Sequence, residues 1–305
     1  MAVGLLRRGR LLSVGCLLAA GVVAAPAASA GGAGPRQPAR AGTASAYAQI
    51  SAGYRHSCAL TRSGRGICWG EDAHGETSVP AGRYRQISAG RGHSCAVRTD
   101  GQAVCWGDNS SGQSTVPPGR YSQISAGYRH SCALTTDDQA VCWGDDAFGQ
   151  GTVPPGRYAQ VSAGTFHSCA LATDDHVVCW GDNAFGQTAV PAGHDTEISA
   201  GRVHSCALAT DGRAVCWGRN AAGQSTAPAG RFIQISAGGS HSCALTRAGR
   251  AVCWGDDSYR QSAAPAGRYT QISAGTFHTC ALTRSGRAVC WGSNGAGQTR
   301  VPAAG

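Results

Sequence analysis

The residues in this sequence best suited to chemistry are cysteines and histidines, and they recur at a fixed interval. Fourteen of the fifteen cysteines form seven pairs whose members are ten residues apart. The pairs are Cys58 and Cys68, Cys95 and Cys105, Cys132 and Cys142, Cys169 and Cys179, Cys206 and Cys216, Cys243 and Cys253, and Cys280 and Cys290. A histidine stands two residues before the first cysteine of each pair, at positions 56, 93, 130, 167, 204, 241 and 278. Paired thiols can form disulfides, whereas thiolates beside imidazoles can bind a metal ion such as Zn²⁺.

The N-terminal segment indicates which compartment these cysteines occupy. Three arginines within residues 7–10 precede an apolar run over residues 11–25, and Ala-Ser-Ala at residues 28–30 supplies a small-residue cleavage site. This order is typical of a secretory signal peptide, so we predict a signal peptide over residues 1–30 and a secreted, extracellular protein. The alternative is a transmembrane anchor, but the apolar run is shorter than the roughly 20 residues that a spanning helix needs. The cysteines are therefore expected in an oxidising compartment.

The spacing within each cysteine pair fits a β-hairpin. If Cys58 lies opposite Cys68, the loop consists of residues 62–64, and such three-residue loops place a left-handed residue third. That third place is Gly in five units, and it is Asp138 and Asp175 in the other two; Asp tolerates the left-handed conformation. Opposed residues of a non-hydrogen-bonded antiparallel pair come close enough for a disulfide, so we predict one disulfide in each unit.

Metal binding is the rival use of the same residues. Only one residue separates His56 from Cys58, whereas zinc sites favour two or more residues between ligands, and no fourth donor is evident. A residue repeated seven times is also a poor candidate for one active site. We therefore predict no metal, no cofactor and no catalytic role, and expect each histidine ring to hold the following loop by hydrogen bonds. The tryptophans at positions 69, 106, 143, 180, 217, 254 and 291 are expected to pack between neighbouring units.

All of these positions belong to a 37-residue repeat whose copies begin at residues 49, 86, 123, 160, 197, 234 and 271. Each copy contains three strand-like stretches, Q-I-S-A-G, H-S-C-A-L-T and R-A-V-C-W-G, and a shorter one around S-T-V-P. Four short strands in each of seven units predict an all-β fold, a seven-bladed β-propeller over residues 46–305. Residues 31–45 are predicted to be a flexible leader. A solenoid is the competing architecture, but it would need capped ends, whereas a ring closed by pairing its two chain ends needs none.

The number and distribution of charged residues bear on which kinds of partner the protein binds. The formal net charge is +9, and the basic residues are all arginines scattered through the repeats. No basic run or stripe is present, so nucleic-acid binding is not indicated, and no membrane span is predicted.

Two dipeptides in each unit break the repeat, the first after S-A-G and the second in the loop after W-G. In an up-and-down blade these two loops emerge at the same end, so the dipeptides of all blades should converge on one face. The residues predicted to form a protein-binding site there are Tyr54, Arg55, His74, Arg91, Tyr128, Arg129, Phe148, Phe166, Phe185, Arg202, Tyr259 and Phe277. Aromatic residues and arginines are the types that anchor protein interfaces. The alternative is that these side chains fill loop crevices or cover the mouth of the channel.

The segments W-G-D-N-x-x-G-Q and S-A-G-x-x-H-S-x-A-L resemble repeats of the regulator of chromosome condensation superfamily. Over residues 49–305 the sequence is most similar to the secreted bacterial β-lactamase inhibitory proteins of the seven-bladed propeller type. The resemblance implies a propeller that uses aromatic residues of these two loops to bind a protein. The implied residues are Tyr54, Tyr128, Phe148, Phe166, Phe185, Tyr259 and Phe277.

The leading functional hypothesis is a secreted module that binds an extracellular protein, with a β-lactamase or another secreted enzyme as candidate target. A carbohydrate-binding lectin is the alternative, because Asp146 precedes Phe148 and Asn183 precedes Phe185 as a polar group beside a stacking ring. An enzyme is disfavoured because no unique constellation of Ser, His, Asp or Glu stands outside the repeat. The acidic and histidine residues that occur in single units, Glu71, Glu76, His176 and His194, have no evident partners in the sequence.

Overall fold

The computed structural model describes residues 46–304 and shows twenty-one β-strands in seven three-stranded antiparallel sheets. The signal peptide predicted over residues 1–30 and the leader predicted over residues 31–45 lie outside the described residues.

Blade 1 contains β1 (Tyr47–Ala52), β2 (His56–Thr61) and β3 (Gly66–Gly70), and blade 2 contains β4 (Tyr84–Ala89), β5 (His93–Arg98) and β6 (Ala103–Gly107). Blade 3 contains β7 (Tyr121–Ala126), β8 (His130–Thr135) and β9 (Ala140–Gly144), and blade 4 contains β10 (Tyr158–Ala163), β11 (His167–Ala172) and β12 (Val177–Gly181). Blade 5 contains β13 (Asp195–Ala200), β14 (His204–Ala209) and β15 (Ala214–Gly218), and blade 6 contains β16 (Phe232–Ala237), β17 (His241–Thr246) and β18 (Ala251–Gly255). Blade 7 contains β19 (Tyr269–Ala274), β20 (His278–Thr283) and β21 (Ala288–Gly292).

The hydrophobic core lies between neighbouring blades. The middle strand of each blade is almost wholly buried because another blade covers each of its faces. Between blades 1 and 2, for example, Leu60 packs with Tyr84, Ile87 and Trp106. The tryptophans thus pack where two blades meet, as predicted, and the same cluster recurs around the ring.

The ring closes where the C-terminal residues meet blade 1. The hydroxyl of Tyr47 donates to the carbonyl of Pro302 at 2.9 Å, and the indole nitrogen of Trp69 donates to the carbonyl of Gln298 at 2.9 Å. The backbone amide of Tyr47 also donates to Gly286 of blade 7 at 2.8 Å. The two ends of the described chain therefore come together, through single hydrogen bonds and side-chain packing and not through a shared strand.

The expected fourth strand around S-T-V-P does not form, so that each blade has three strands. In blade 1 this segment is a turn in which the amide of Ser78 donates to Gly75 and that of Val79 donates to Thr77. Pro80 ends the segment and has no amide proton for a ladder. The local turn bonds thus replace strand pairing.

The predicted hairpins and disulfides are confirmed in all seven blades. Cys58 pairs with Cys68 in the register of β2 and β3, their Cα atoms are 4.0 Å apart, and the other six pairs have the same arrangement. The third loop residue is left-handed at Gly64, with φ of 79°, and also at Asp138 and Asp175, with φ of 61° and 70°. The turn chemistry therefore fixes the register that brings the cysteines together.

Candidate protein-binding face

A circle of buried hydrogen bonds supports the loops of the candidate site. The Nε2 atom of His56 lies 2.8 Å from the hydroxyl of Ser94 in the next blade, and that hydroxyl donates its proton to the carbonyl of Glu76 at 3.0 Å. The histidine therefore donates from Nε2, and a neutral ring in this position carries its proton on that atom. The expectation that the ring holds the following loop is wrong, because the ring bonds to the neighbouring blade.

The same bond recurs around the whole propeller at distances of 2.8 to 2.9 Å. The partners of the six remaining histidines are Ser131, Ser168, Ser205, Ser242, Thr279 and, closing the circle, Ser57. Burial lowers the pKa of His56 to about 4 and that of His93 to about 3, with the neighbouring histidines adding to the effect at His93. The imidazole rings of the circle are therefore neutral, and their role is structural.

The first strands line a central channel with a second set of bonds between blades. The side-chain oxygen of Gln49 accepts the amide of Ile87 at 2.8 Å, and the hydroxyl of Ser51 accepts the amide of Ala89 at 3.0 Å. One unit departs from this pattern, because Glu197 stands in the glutamine position and accepts the amide of Ile235 at 3.1 Å. Burial raises the pKa of Glu197 to about 7, although this hydrogen bond opposes the shift.

The two sets of variable loops do share one face, which we call the variable face. Because His56 at the start of β2 pairs with Gly70 at the end of β3, the loops that precede β2 and follow β3 leave the sheet at the same end. The guanidinium of Arg55 in the first loop lies 3.1 Å from the carboxylate of Glu71 in the second. The variable face comprises both loops of all seven blades, and its opposite, which carries the hairpin turns, is here called the turn face.

On the variable face, seven side chains form a continuous row that we call the aromatic arc. In order along the row they are Tyr259, Phe277, Tyr54, Arg91, Tyr128, Phe166 and Phe148. Neighbouring ring centroids are 5.6 Å apart at the Tyr259 end and 5.1 Å apart at the Phe148 end. Arg91 joins the two halves, since its guanidinium carbon lies 5.5 Å from the ring of Tyr54 and 4.3 Å from that of Tyr128. Cation–π contact at these distances is favourable and holds the arginine between the two rings.

The two ends of the aromatic arc are its most accessible members. Phe148 is 52% exposed and Tyr259 is 53% exposed, while the rings between them are half-buried. The alternative that these side chains fill crevices therefore holds in part for the inner rings, which pack on one another. It does not describe the two ends.

A groove of about 570 Å³ lies beside the Phe148 end of the arc. Its walls include the rings of Phe148, Phe166 and Phe185, and the arginines Arg202 and Arg219. The guanidinium carbon of Arg219 lies 5.0 Å from the centroid of Phe185, which is itself 46% exposed. The groove thus combines an apolar wall with two cations.

The remaining predicted residues lie on the variable face but outside the arc. Arg55 is held by Glu71, and the guanidinium of Arg129 lies 3.4 Å from the hydroxyl of Ser110. His74 lies in the loop after β3, near Asp108. Burial opposes the lowering of the pKa of Asp108, the hydrogen bonds of Ser110 lower it, and His74 adds a smaller effect in the same direction. These three side chains therefore serve mainly local contacts.

Sequence reasoning missed one member of this surface and the role of another. Arg219 follows W-G in blade 5, where most units carry an acidic residue, and that departure was the available signal. Arg91 was recognised as a candidate, but its bridging of two halves of the arc depends on ring positions in three blades. No spacing within one repeat reports on that relationship.

The polar groups proposed for carbohydrate binding are engaged within their own loops. The carboxylate of Asp146 accepts the amide of Gly151 at 2.6 Å and the hydroxyl of Thr152 at 2.8 Å. The side-chain oxygen of Asn183 accepts the amide of Thr188 at 3.0 Å. These groups stabilise turns, as Asx side chains commonly do.

Within residues 46–304, no group of three or more His, Cys, Asp or Glu side chains is arranged to hold a metal ion. The same part of the chain contains no helix with the length and hydrophobicity that crossing a membrane requires.

Comparison with known proteins places the repeat and the fold. The sequence profile of the regulator of chromosome condensation (RCC1) repeat matches residues 47–76, 84–113, 121–150, 158–187, 196–224, 232–261 and 269–298. No curated protein sequence matches the chain.

Among solved structures, the fold is similar to the CRINKLY WD40 ectodomain of the Arabidopsis thaliana receptor kinase ACR4, with 26% identity, a TM-score of 0.69, and coverage of 81% of this chain and 98% of that one. It is also similar to the entire ectodomain of the Physcomitrella patens receptor kinase CR4, with 25% identity, a TM-score of 0.71, and coverage of 82% and 74%. Prp20p of Saccharomyces cerevisiae shares the fold, with 18% identity, a TM-score of 0.63, and coverage of 75% and 80%. Since the profile matches all seven units and most of the chain, the protein belongs to the regulator of chromosome condensation (RCC1) repeat family.

Proposed function

We propose that this propeller is a binding module, and not an enzyme, that holds a protein partner on its variable face. The observation that carries the proposal is the aromatic arc, a contiguous row from Tyr259 to Phe148 with exposed rings at both ends. Aromatic side chains and arginine provide much of the binding energy of protein interfaces.

The scaffold suits this role because its binding groups are held before a partner arrives. Each inner ring of the arc packs against the next, and Arg91 is fixed between two rings. Little side-chain entropy is then lost on binding, which favours affinity. The adjoining groove fits an apolar side chain of the partner, with Arg202 and Arg219 placed to meet a carboxylate next to it.

We place the partner outside the cell. Seven disulfides are expected of an oxidising compartment, and the receptor-kinase ectodomains described above share the fold at 25–26% identity. A secreted enzyme is the specific partner class proposed, and a class A β-lactamase is the first candidate to test because of the resemblance in the variable loops.

The experiment measures binding and inhibition with matched variants of the purified propeller. Phe148→Ala and Phe185→Ala remove exposed rings of the variable face, whereas Ile233→Ala removes an equally accessible apolar side chain, 51% exposed, that lies on the first strand of blade 6. Surface plasmon resonance against a panel of class A β-lactamases tests the specific target, and mass spectrometry of captured extracellular proteins tests the general one. We expect one identified protein whose binding is lost with the two Phe variants and kept with Ile233→Ala.

Two results would count against the proposal. Absence of nanomolar inhibition of every β-lactamase in the panel would remove that target. Capture that is unaffected by both Phe variants, or equally weakened by Ile233→Ala, would remove the variable face as the binding surface.

A further inference from the structure

Six of the seven blades share an aromatic pair that blade 5 lacks. A tyrosine or phenylalanine at the start of the first strand packs near the blade's tryptophan, with ring centroids 6.2 to 6.5 Å apart. The pairs are Tyr47 and Trp69, Tyr84 and Trp106, Tyr121 and Trp143, Tyr158 and Trp180, Phe232 and Trp254, and Tyr269 and Trp291. In blade 5 the aromatic position is Asp195, and Trp217 has no aromatic partner there among the described residues.

The space vacated by the missing ring is open. A Cβ atom placed on Gly156 in blade 4 would lie 3.0 Å from the hydroxyl of Tyr158, and one on Gly267 in blade 7 would lie 3.0 Å from the ring of Tyr269. A Cβ atom placed on the equivalent Gly193 would meet no atom within 4 Å. The result is a cavity of about 220 Å³ on the turn face, lined by Trp217, Asp195, Pro191, Arg213 and Gly193 among others, which we call the blade-five cavity.

The polar groups of the blade-five cavity lack the partners found in the other blades. In blade 2 the hydroxyl of Tyr84 donates to the carbonyl of Pro80 at 2.6 Å, but no phenol reaches the equivalent Pro191. Asp195 is only 6% exposed, and its carboxylate makes no hydrogen bond or ion pair with any residue in the part of the chain that is described. Its oxygens reach the solvent of the cavity, so a ligand that donates to them would form charge-assisted hydrogen bonds.

Among the described residues that line the cavity, Asp195 is the acid without an ion-pair partner, and it favours a cationic ligand. Arg213 is already paired with Asp211, at 2.9 Å, and the causes that act on Asp195 are burial, which raises its pKa, and the weaker opposing effect of His194 and His176. His194 lines the cavity, and its ring is tilted by 59° to that of His176, with centroids 4.5 Å apart; His176 also lies 3.4 Å from Asp174. The cavity therefore offers a ligand the carboxylate of Asp195, the indole of Trp217 and the carbonyl of Pro191.

We propose that the blade-five cavity binds a guanidinium group. The planar cation would stack on the indole of Trp217 in the place of the missing ring, donate to the carboxylate of Asp195, and donate to the carbonyl of Pro191. Guanidinium fits better than ammonium because it is flat, stacks on aromatic faces and carries several donors in fixed directions. The site lies on the turn face, so it is independent of the partner proposed for the variable face.

The group can come from a small molecule or from an arginine side chain of another protein, and two probes distinguish these sources. Agmatine carries the guanidinium on a short chain, and the tripeptide Gly-Arg-Gly carries it on a peptide. 1,4-Diaminobutane, which has ammonium in its place, serves as the control ligand. Stronger binding of the tripeptide identifies a protein side chain as the source, and stronger binding of agmatine identifies a small molecule.

Calorimetric titration of the full propeller and four variants tests the site. Asp195→Asn removes the charge, Asp195→Tyr refills the cavity as in the other blades, and Trp217→Phe identifies the indole signal in an NMR titration. Asp137→Asn removes an exposed acid from a turn of blade 3 as the matched control. We expect one guanidinium bound per chain, a loss of at least about tenfold in affinity for both Asp195 variants, and a change below about twofold for Asp137→Asn.

Thermal melts show whether each variant is folded, and Asp195→Tyr is expected to melt at or above the parent temperature because it fills a cavity. The proposal is overturned if neither probe binds the parent at about 20 mM. It is likewise overturned if Asp195→Tyr binds as tightly as the parent, if 1,4-diaminobutane binds as tightly as agmatine, or if the indole signal of Trp217 does not shift.

Discussion

The Nε2 atom of His278 in blade 7 lies 2.8 Å from the hydroxyl of Ser57 in blade 1, so the circle of histidine bonds has no end. Every blade gives one such bond to its neighbour and receives one from the other side. A solenoid would leave the last histidine and the first serine without a partner, and it would need caps. The closing pair is therefore where the difference between a ring and an open array is measurable.

Removing the hydroxyl of this pair should destabilise the propeller. Ser57→Ala leaves the buried Nε2 proton of His278 unpaired and removes the donor to the carbonyl of Gln298. We expect a loss of about 1–3 kcal/mol in the free energy of unfolding, or roughly 2–10 °C in melting temperature. Ser168→Ala, inside the ring, is the control. Equal losses of stability in the two variants would indicate a closed ring. A loss in Ser168→Ala but none in Ser57→Ala would show that blades 1 and 7 do not form this bond in solution.

Acid should unfold the protein because all seven ring histidines are buried in their neutral form. Their pKa values are lowered by burial to about 3 or about 4, from the usual value of 6.5. The unfolded chain thus binds more protons than the folded one between those limits, and stability is fully present above pH 6.5 and is lost as pH falls toward 4. Melting temperature measured against pH should decline steeply over this window. A flat profile would contradict neutral burial of the histidines.

Much of the scaffold could be predicted because one repeat contains the information that fixes it. The hairpin register follows from Gly64 and its counterparts, and the cysteine pairing follows from that register. The histidine partners were missed because they lie in the next repeat: His56 bonds to Ser94, 38 residues away. The constant recurrence of a Ser or Thr at that separation was the available signal. Its significance depends on which side chains of adjacent blades lie next to each other, and one repeat does not contain that information.

Glu197 should contribute a pH dependence of folding stability that is opposite in sign to that of the buried histidines. Its pKa is raised by burial to about 7, from 4.5, so the folded state holds a proton that the unfolded state has lost between these values. This contribution to stability is present below pH 4.5 and is lost as pH rises through 7. Glu197→Gln restores the side chain of the other six blades and removes the penalty. We expect the variant to be more stable than the parent by up to about 3 kcal/mol at pH 8 and nearly equal at pH 4. Equal stability at pH 8 would mean that the carboxylate is well solvated in the channel.

Each disulfide closes a short loop, and its removal should have a moderate, local cost. Replacing both Cys132 and Cys142 by Ala removes the link between the central and outer strands of blade 3. Chain-entropy arithmetic for a loop of this size gives about 2.5–3 kcal/mol, to which lost packing at the buried Cys132 adds. Denaturant unfolding of the double variant measures the change, with Cys280 and Cys290 replaced together as a second case at the closing blade. Little change in either case would imply that the unfolded chain is already constrained there.

The functional surface was less predictable than the scaffold because its geometry arises between blades. Phe148 and Phe166 were both candidates, but only the ring shows that the second loop of blade 3 reaches the first loop of blade 4, with centroids 5.1 Å apart. Asp195 shows the same limit of sequence reasoning for the blade-five cavity. Its departure from the aromatic pattern was visible in the sequence, yet the cavity it leaves depends on Trp217, Gly193 and Pro191 in their folded positions.

Substitutions at different positions of the aromatic arc should affect partner binding and folding stability to different extents. Phe148 is an exposed end of the row, so Phe148→Ala should change the free energy of unfolding by no more than about 0.5 kcal/mol. Phe166 contacts both Tyr128 and Phe148, at 5.6 and 5.1 Å, and Phe166→Ala should cost about 1–2 kcal/mol. Denaturant unfolding of the two variants, alongside capture of the partner, distinguishes the effects. If the variable face binds a protein, Phe148→Ala weakens capture while leaving stability intact, whereas a fall in stability as large as that of Phe166→Ala would show Phe148 to be a packing residue.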